Sequence, residues 1–205
     1  MKKIISLLLV VCTIFTFVGC TQKSTNENIT VPISENSIIP KLSFDVNEDD
    51  IDAITNAMNY LPNDVAPQLG LGAYLTINNE VWLTNDYEKQ LNPFEELRYT
   101  VDTGKRILKY RYICKDEFEK FDKEHVKKQI KTIYDIDLNE FGFDDAVDGL
   151  IEKRETLKEN QVFPISFNTG NEISIILGLS NVEDGEYLSI VATYQVVEID
   201  MEVTE

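Results

Sequence analysis

The 205-residue chain holds one histidine, His125, one tryptophan, Trp82, and three cysteines. One histidine excludes a multi-histidine zinc site, and no metal or other cofactor is expected. Three cysteines cannot build a bridge-rich scaffold. Basic residues are scarce too: 19 stand against 36 acids, for a formal net charge of −17. Nucleic-acid binding relies on Lys and Arg neutralising phosphate, so no nucleic-acid partner is expected. The glycine-rich loop of a phosphate site is also missing, and Thr103-Gly104-Lys105 reads as a plain turn. No repeat of fixed period is visible.

Long apolar runs are absent except at the start. Lys2 and Lys3 precede an uncharged stretch from Ile4 to Val18, broken only by Ser6, Cys12, Thr13 and Thr16. Gly19-Cys20 follows, and the chain then turns polar. A basic start, an apolar core and a small residue before a cut describe a secretory signal. The run is short for a stable span, which needs about 20 apolar residues.

Phe17-Val18-Gly19-Cys20 resembles the bacterial lipobox, with Phe17 where that motif usually carries an aliphatic residue. The resemblance covers the first two dozen residues. It implies removal of residues 1–19 and acylation of Cys20, which would then anchor the mature chain in a lipid bilayer. The expected location is the extracytoplasmic face of the cell membrane. Two acyl chains on one residue give a stable anchor, where one gives only marginal binding. Cleavage would discard Cys12 and leave Cys114 as the sole free thiol, with no intrachain disulfide. It would also remove Lys2 and Lys3 but no acid, moving the net charge from −17 to −19. Residues 20–48 then form a lipidated cysteine and a Ser-, Thr-, Asn- and Glu-rich tether, too polar to offset its ordering entropy by burial. Residues 49–205 are long enough for a single soluble domain with a full core.

Within that domain, Asp49 to Met58 has helical spacing and Leu61-Pro62 stops it. Pro67, Gly70 and Gly72 mark a loop. Leu75-Thr76-Ile77 and Val81-Trp82-Leu83 read as a hairpin around Asn78-Asn79-Glu80. Glu95 to Val101 alternates, with Leu97, Tyr99 and Val101 on one side and Glu96, Arg98 and Thr100 on the other. In the next strand Leu108, Tyr110, Tyr112 and Cys114 share a face, and Lys109 and Arg111 the other. The longest helix is expected from about Glu117 to Tyr134, with Asp116 at its cap and a core stripe of Phe118, Phe121, Val126, Ile130 and Ile133. Asp144 is expected to cap a short helix burying Val147, Leu150 and Ile151. Val162 to Phe167 reads as an edge strand because of Pro164. Ile173, Ile175, Leu177 and Leu179 alternate, Asp184-Gly185 signals a hairpin, and Leu188 to Val196 line one face of the last strand.

These elements predict an α+β fold with a curved antiparallel sheet packed against helices. One form would be a cone-like sheet resembling the nuclear-transport-factor or cystatin-like folds. That is fold-level analogy and assigns no function.

Candidate chemistry is sparse. Asp135, Asp137 and Asn139 open like a calcium loop, but Glu140 stands where the turn needs Gly and Ala146 where a bidentate Glu belongs. His125 sits at the edge of a core stripe, and Cys114 reads as a small buried hydrophobe. Trp82, Tyr99, Lys109 and Arg111 form the best candidate binding patch, because aromatic and Arg groups dominate contact energies. The expected function is therefore a membrane-tethered binding or interaction module for a protein or other envelope ligand. The alternative is an envelope-associated hydrolase using carboxylates. No catalytic residue is assigned.

Overall fold

The structure, a computed structural model, describes residues 36–37, 66–71, 73–77, 80–85, 91–102, 105–170 and 172–197. The signal segment, Cys20, nearly all of the tether, the helix expected from Asp49, and the Asn78-Asn79 and Thr103-Gly104 turns lie outside the described residues.

Seven strands form the sheet: β1 Ala73–Ile77, β2 Glu80–Thr84, β3 Phe94–Asp102, β4 Lys105–Lys115, β5 Gln161–Phe167, β6 Ile173–Val182 and β7 Gly185–Val197. Their spatial order is β1-β2-β3-β4-β7-β6-β5, and every pairing is antiparallel. Three α-helices are described: α1 Ala66–Leu69, α2 Lys123–Tyr134 and α3 Phe143–Glu152. The α+β class and the antiparallel sheet packed on helices are as expected.

The curvature is not. The sheet is open, neither curled nor closed, so the cone-like nuclear-transport-factor or cystatin-like form is wrong for this chain. Each ladder runs in one unbroken register; β4 and β7, for example, pair without interruption from Lys105↔Val197 to Lys115↔Tyr187. Sheets bend sharply where a bulge inserts an extra residue, and no ladder here contains one. The two edges, β1 and β5, stand at opposite ends of the order. Pro164 lies in β5, where its missing N–H costs no central ladder bond.

Alternation sorts the strands into two faces. The helix-covered face carries Leu83, Leu97, Tyr99, Leu108, Tyr110, Ile175, Leu177, Leu188 and Ile190, all buried. Val126, Ile130 and Ile133 of α2 and Val147 and Leu150 of α3 complete the same core, and Leu69 of α1 joins it. Tyr134 reaches from α2 into the sheet. Its one hydroxyl proton is shared between the Ala192 and Leu108 carbonyls, at 2.9 and 3.2 Å, and its oxygen accepts from the Tyr110 N–H at 3.1 Å.

Three local expectations change. The long helix starts at Lys123 rather than Glu117, with the Asp122 carboxylate accepting from the His125 N–H. Phe118 and Phe121 are buried as predicted, but on a 3-10 turn and an extended residue ahead of the helix. The step from Phe121 to Val126 is five residues, which one helical face cannot hold. Asp144 does not cap α3: Gly142 occupies that position at φ 66°, and Asp144 lies in the first turn, paired with Lys127 at 3.0 Å. Pro67 falls within α1 rather than in a loop, in the first turn, where its missing N–H is harmless.

Candidate functional site

Two adjacent glutamates of β3 define the chemistry of the two faces. Successive strand residues point to opposite sides, so Glu95 enters the helix-covered core and Glu96 the other face. Both are buried, at 4% and 1% exposure.

Glu95 is held by neutral donors and the single histidine. Tyr110 Oη donates to it at 2.7 Å, Gln129 Nε2 at 3.1 Å, and His125 Nε2 lies 2.9 Å away. Gln129 also donates to the Leu69 carbonyl at 2.7 Å, which ties α1 to α2. The hydrogen bond that His125 Nε2 gives to Glu95 raises the His125 pKa above its ordinary value against the opposing effect of burial. Burial first, then Glu95, pushes the Tyr110 phenol well above its usual range and keeps it a donor. No Ser, Thr or Cys side chain hydrogen-bonds His125 among the described residues. The Cys114 thiol is buried and pushed up to about 12 by desolvation, which makes it a core group rather than a nucleophile. The cluster thus has a buried base without a group to activate, and its evident work is to join β3, β4, α1 and α2.

The opposite face carries no described helix of the core. Its residues fall in rows across paired strands. One row runs Trp82, Arg98, Lys109, Thr193; the next runs Thr84, Glu96, Arg111, Val191. A third pairs Phe94 with Ile113 and a fourth Lys115 with Tyr187. Arg98 stacks over the Trp82 ring at 3.6 Å, a favourable contact between a cation and a π face. Glu96 sits between Arg111 Nε at 2.9 Å and Arg98 at 3.5 Å. These contacts are out of line for hydrogen bonds, so the carboxylate is held by charge more than by directed donors.

Arg111 also borders an open groove of about 350 Å³. Phe94, Ile113 and Tyr187 form apolar walls, Lys115 and Asp184 stand beside them, and Leu91 and Asn92 close one side. Asn92 is fixed by exchanging hydrogen bonds with the Lys115 backbone at 2.8 and 2.9 Å. Asp184 accepts from Tyr187 Oη at 2.5 Å and from Lys115 Nζ at 3.4 Å. Hydrogen bonds from Tyr187 and Lys115 lower the Asp184 pKa, and those to Tyr187 and Asp184 raise that of Lys115. Gly185 makes this corner feasible: at φ 142° an added Cβ would stand 2.7 Å from Lys115 Cε.

The candidate patch is therefore split. Trp82, Lys109 and Arg111 share the open face, half-buried. Tyr99 does not join them, because its parity places it on the helix side at 0% exposure. Cys20 lies outside the described residues. The calcium-like triad is used as helix punctuation: Asp135 ends α2 in the left-handed region, and Asp137 accepts from the Asn139 N–H at 3.0 Å. No group of three or more metal-ligating side chains occurs among the described residues.

Sequence reading missed Glu95 and the groove. Glu95 could have been found by parity, since it stands two residues before Leu97 and four before Tyr99. Asp184 could not, because a turn residue 69 positions from Lys115 carries no spacing signal.

The chain matches no family model, no curated protein and no solved structure among those it was compared with.

Proposed function

We propose that this protein is a lipid-anchored binding module at the extracytoplasmic face of a bacterial membrane, and that its ligand meets the open face of the sheet. One observation carries the reading. In a chain of net charge −17, that face gathers Arg98, Lys109, Arg111 and Lys115 beside Trp82, Phe94 and Tyr187, and four of these, Phe94, Arg111, Lys115 and Tyr187, line a groove. Half-buried cations interleaved with aromatic groups are what a binding surface uses, and the core does not need them. The anchor half rests on the signal-like residues 1–19 and the lipobox-like Phe17-Val18-Gly19-Cys20.

The carboxylate-hydrolase alternative draws no support from the geometry. Glu95 and Glu96 point to opposite faces, and Asp184 is the one acid lining the groove among the described residues. Replacing Cys20 with Ser should release the protein from the membrane fraction and abolish palmitate labelling. Unchanged retention and labelling would refute the anchor.

A further inference from the structure

We infer that the groove between Phe94, Arg111 and Tyr187 binds a monoanionic carboxylate attached to an apolar body, of about the size of an amino-acid or dipeptide acid. This rests on the reading of the open face as a binding surface and names the ligand class for it.

Arg111 supplies the first argument. Glu96 engages its Nε edge at 2.9 Å, and Phe94 lies under the guanidinium at 5.5 Å. The side chain is thus held from two sides. Its Nη groups donate no hydrogen bond among the described residues, although Arg111 lines the groove. A planar fork with free donors suits a planar two-oxygen acceptor.

Lys115 supplies the second charge. It is paired to Asp184 at 3.4 Å, with side-chain exposures of 41% and 67%. Exposed pairs of this kind hold little energy, so the ammonium can turn to a ligand at small cost.

The acids set an upper limit on ligand charge. Asp184 at the rim and Glu96 behind Arg111 would repel a dianion, and the chain as a whole is strongly acidic. A carboxylate carries one charge where a phosphate monoester carries nearly two. The walls set the rest. Phe94, Ile113 and the Tyr187 ring, with Leu91 44% exposed at the edge, offer apolar surface that an inorganic anion would leave wet. A volume of about 350 Å³ lies at the small end of ligand sites.

The test is calorimetric titration of the full chain, purified in mild detergent, with N-acetylphenylalanine, its amide and inorganic phosphate. The acid should bind saturably, the amide about tenfold or more weaker, and phosphate no better than the amide. Arg111→Gln and Lys115→Gln should each weaken the acid about tenfold, while Val162→Ser, at the far edge of the same face, should not. Lys115 is exposed, so its variant keeps the test valid if Arg111→Gln fails to fold. A tripeptide ending in Phe with a free carboxylate separates the sources: tighter binding than the acetylated amino acid points to a peptide terminus, equal binding to a free acid. Equal binding of acid and amide, no saturable binding of the acid, or full affinity in both folded variants would overturn the ligand class. Protection of the open face by some other ligand in the envelope would still leave the binding-module reading standing.

Discussion

Glu95 and Glu96 are neighbours in sequence and strangers in space. Glu95 lies under helices, among Tyr110, Gln129 and His125. Glu96 lies on the open face between two arginines, backed by Trp82 and Phe94. Both are almost fully buried, yet one is satisfied by directed hydrogen bonds and the other by charge. The difference teaches what each face is for. A buried carboxylate with specific neutral donors fixes how elements pack. A carboxylate that orients Arg111, whose outer nitrogens donate to no side chain or carbonyl among the described residues, prepares that arginine for something else.

The sharpest way to break the comparison is to shorten one apolar side chain on each face. Leu97→Ala should cost about 3 kcal/mol in denaturant unfolding, as for a fully buried leucine. Val191→Ala, half-buried on the open face, should cost well under about 1 kcal/mol. Equal losses would mean that the open face is a second core.

A smaller effect separates the glutamates. Glu95→Ala leaves the Tyr110 hydroxyl and one of the two Gln129 amide N–H groups unpaired inside the core and should cost about 2 kcal/mol. Glu96→Ala leaves Arg98 and Arg111, which are 24% and 33% exposed and can turn to water, and should cost about half as much. The reverse order would make Glu96 the structural acid.

The smallest effect is in pH. Glu95 raises the folded His125 pKa above its ordinary 6.5. Protonation therefore binds tighter in the folded state. The contribution is complete below about pH 6.5 and fades as pH rises through the folded value. Asp122 and Lys128 also act on the ring, and Tyr112 packs beside it with ring centroids 5.8 Å apart, but Glu95 is the charged group in contact with it, at 2.9 Å. Urea midpoints should fall across that window, and His125→Gln should flatten the fall. Parallel profiles for the two proteins would remove His125 from the linkage.

Much of the sheet is legible in the sequence because alternation is a local signal. Ile173 to Leu179 and Leu188 to Tyr194 state their buried face in their own order, and Pro164 marks its strand as an edge. The open shape is not legible, since bulges and strand order depend on partners far apart in the chain. The helix start was obscured because Phe118 and Phe121 are buried without being helical. The site was half legible: Trp82, Lys109 and Arg111 share a face, but Tyr99 follows the same alternation to the other side. Asp184 and Tyr187 reach the groove only through the pairing of β4 with β7 and the turn before it.

A binding role for the open face is tested most directly by amine footprinting of the protein in its native envelope against the purified chain. Lys109 and Lys115 lie on the open face, while Lys128 and Lys153 are exposed on the helix-covered side. Lys109 and Lys115 should be modified more slowly in the envelope, and Lys128 and Lys153 at the same rate in both. Protection of Lys128 and Lys153 instead, or of none of the four, would contradict the assignment of the open face as the surface that meets a ligand.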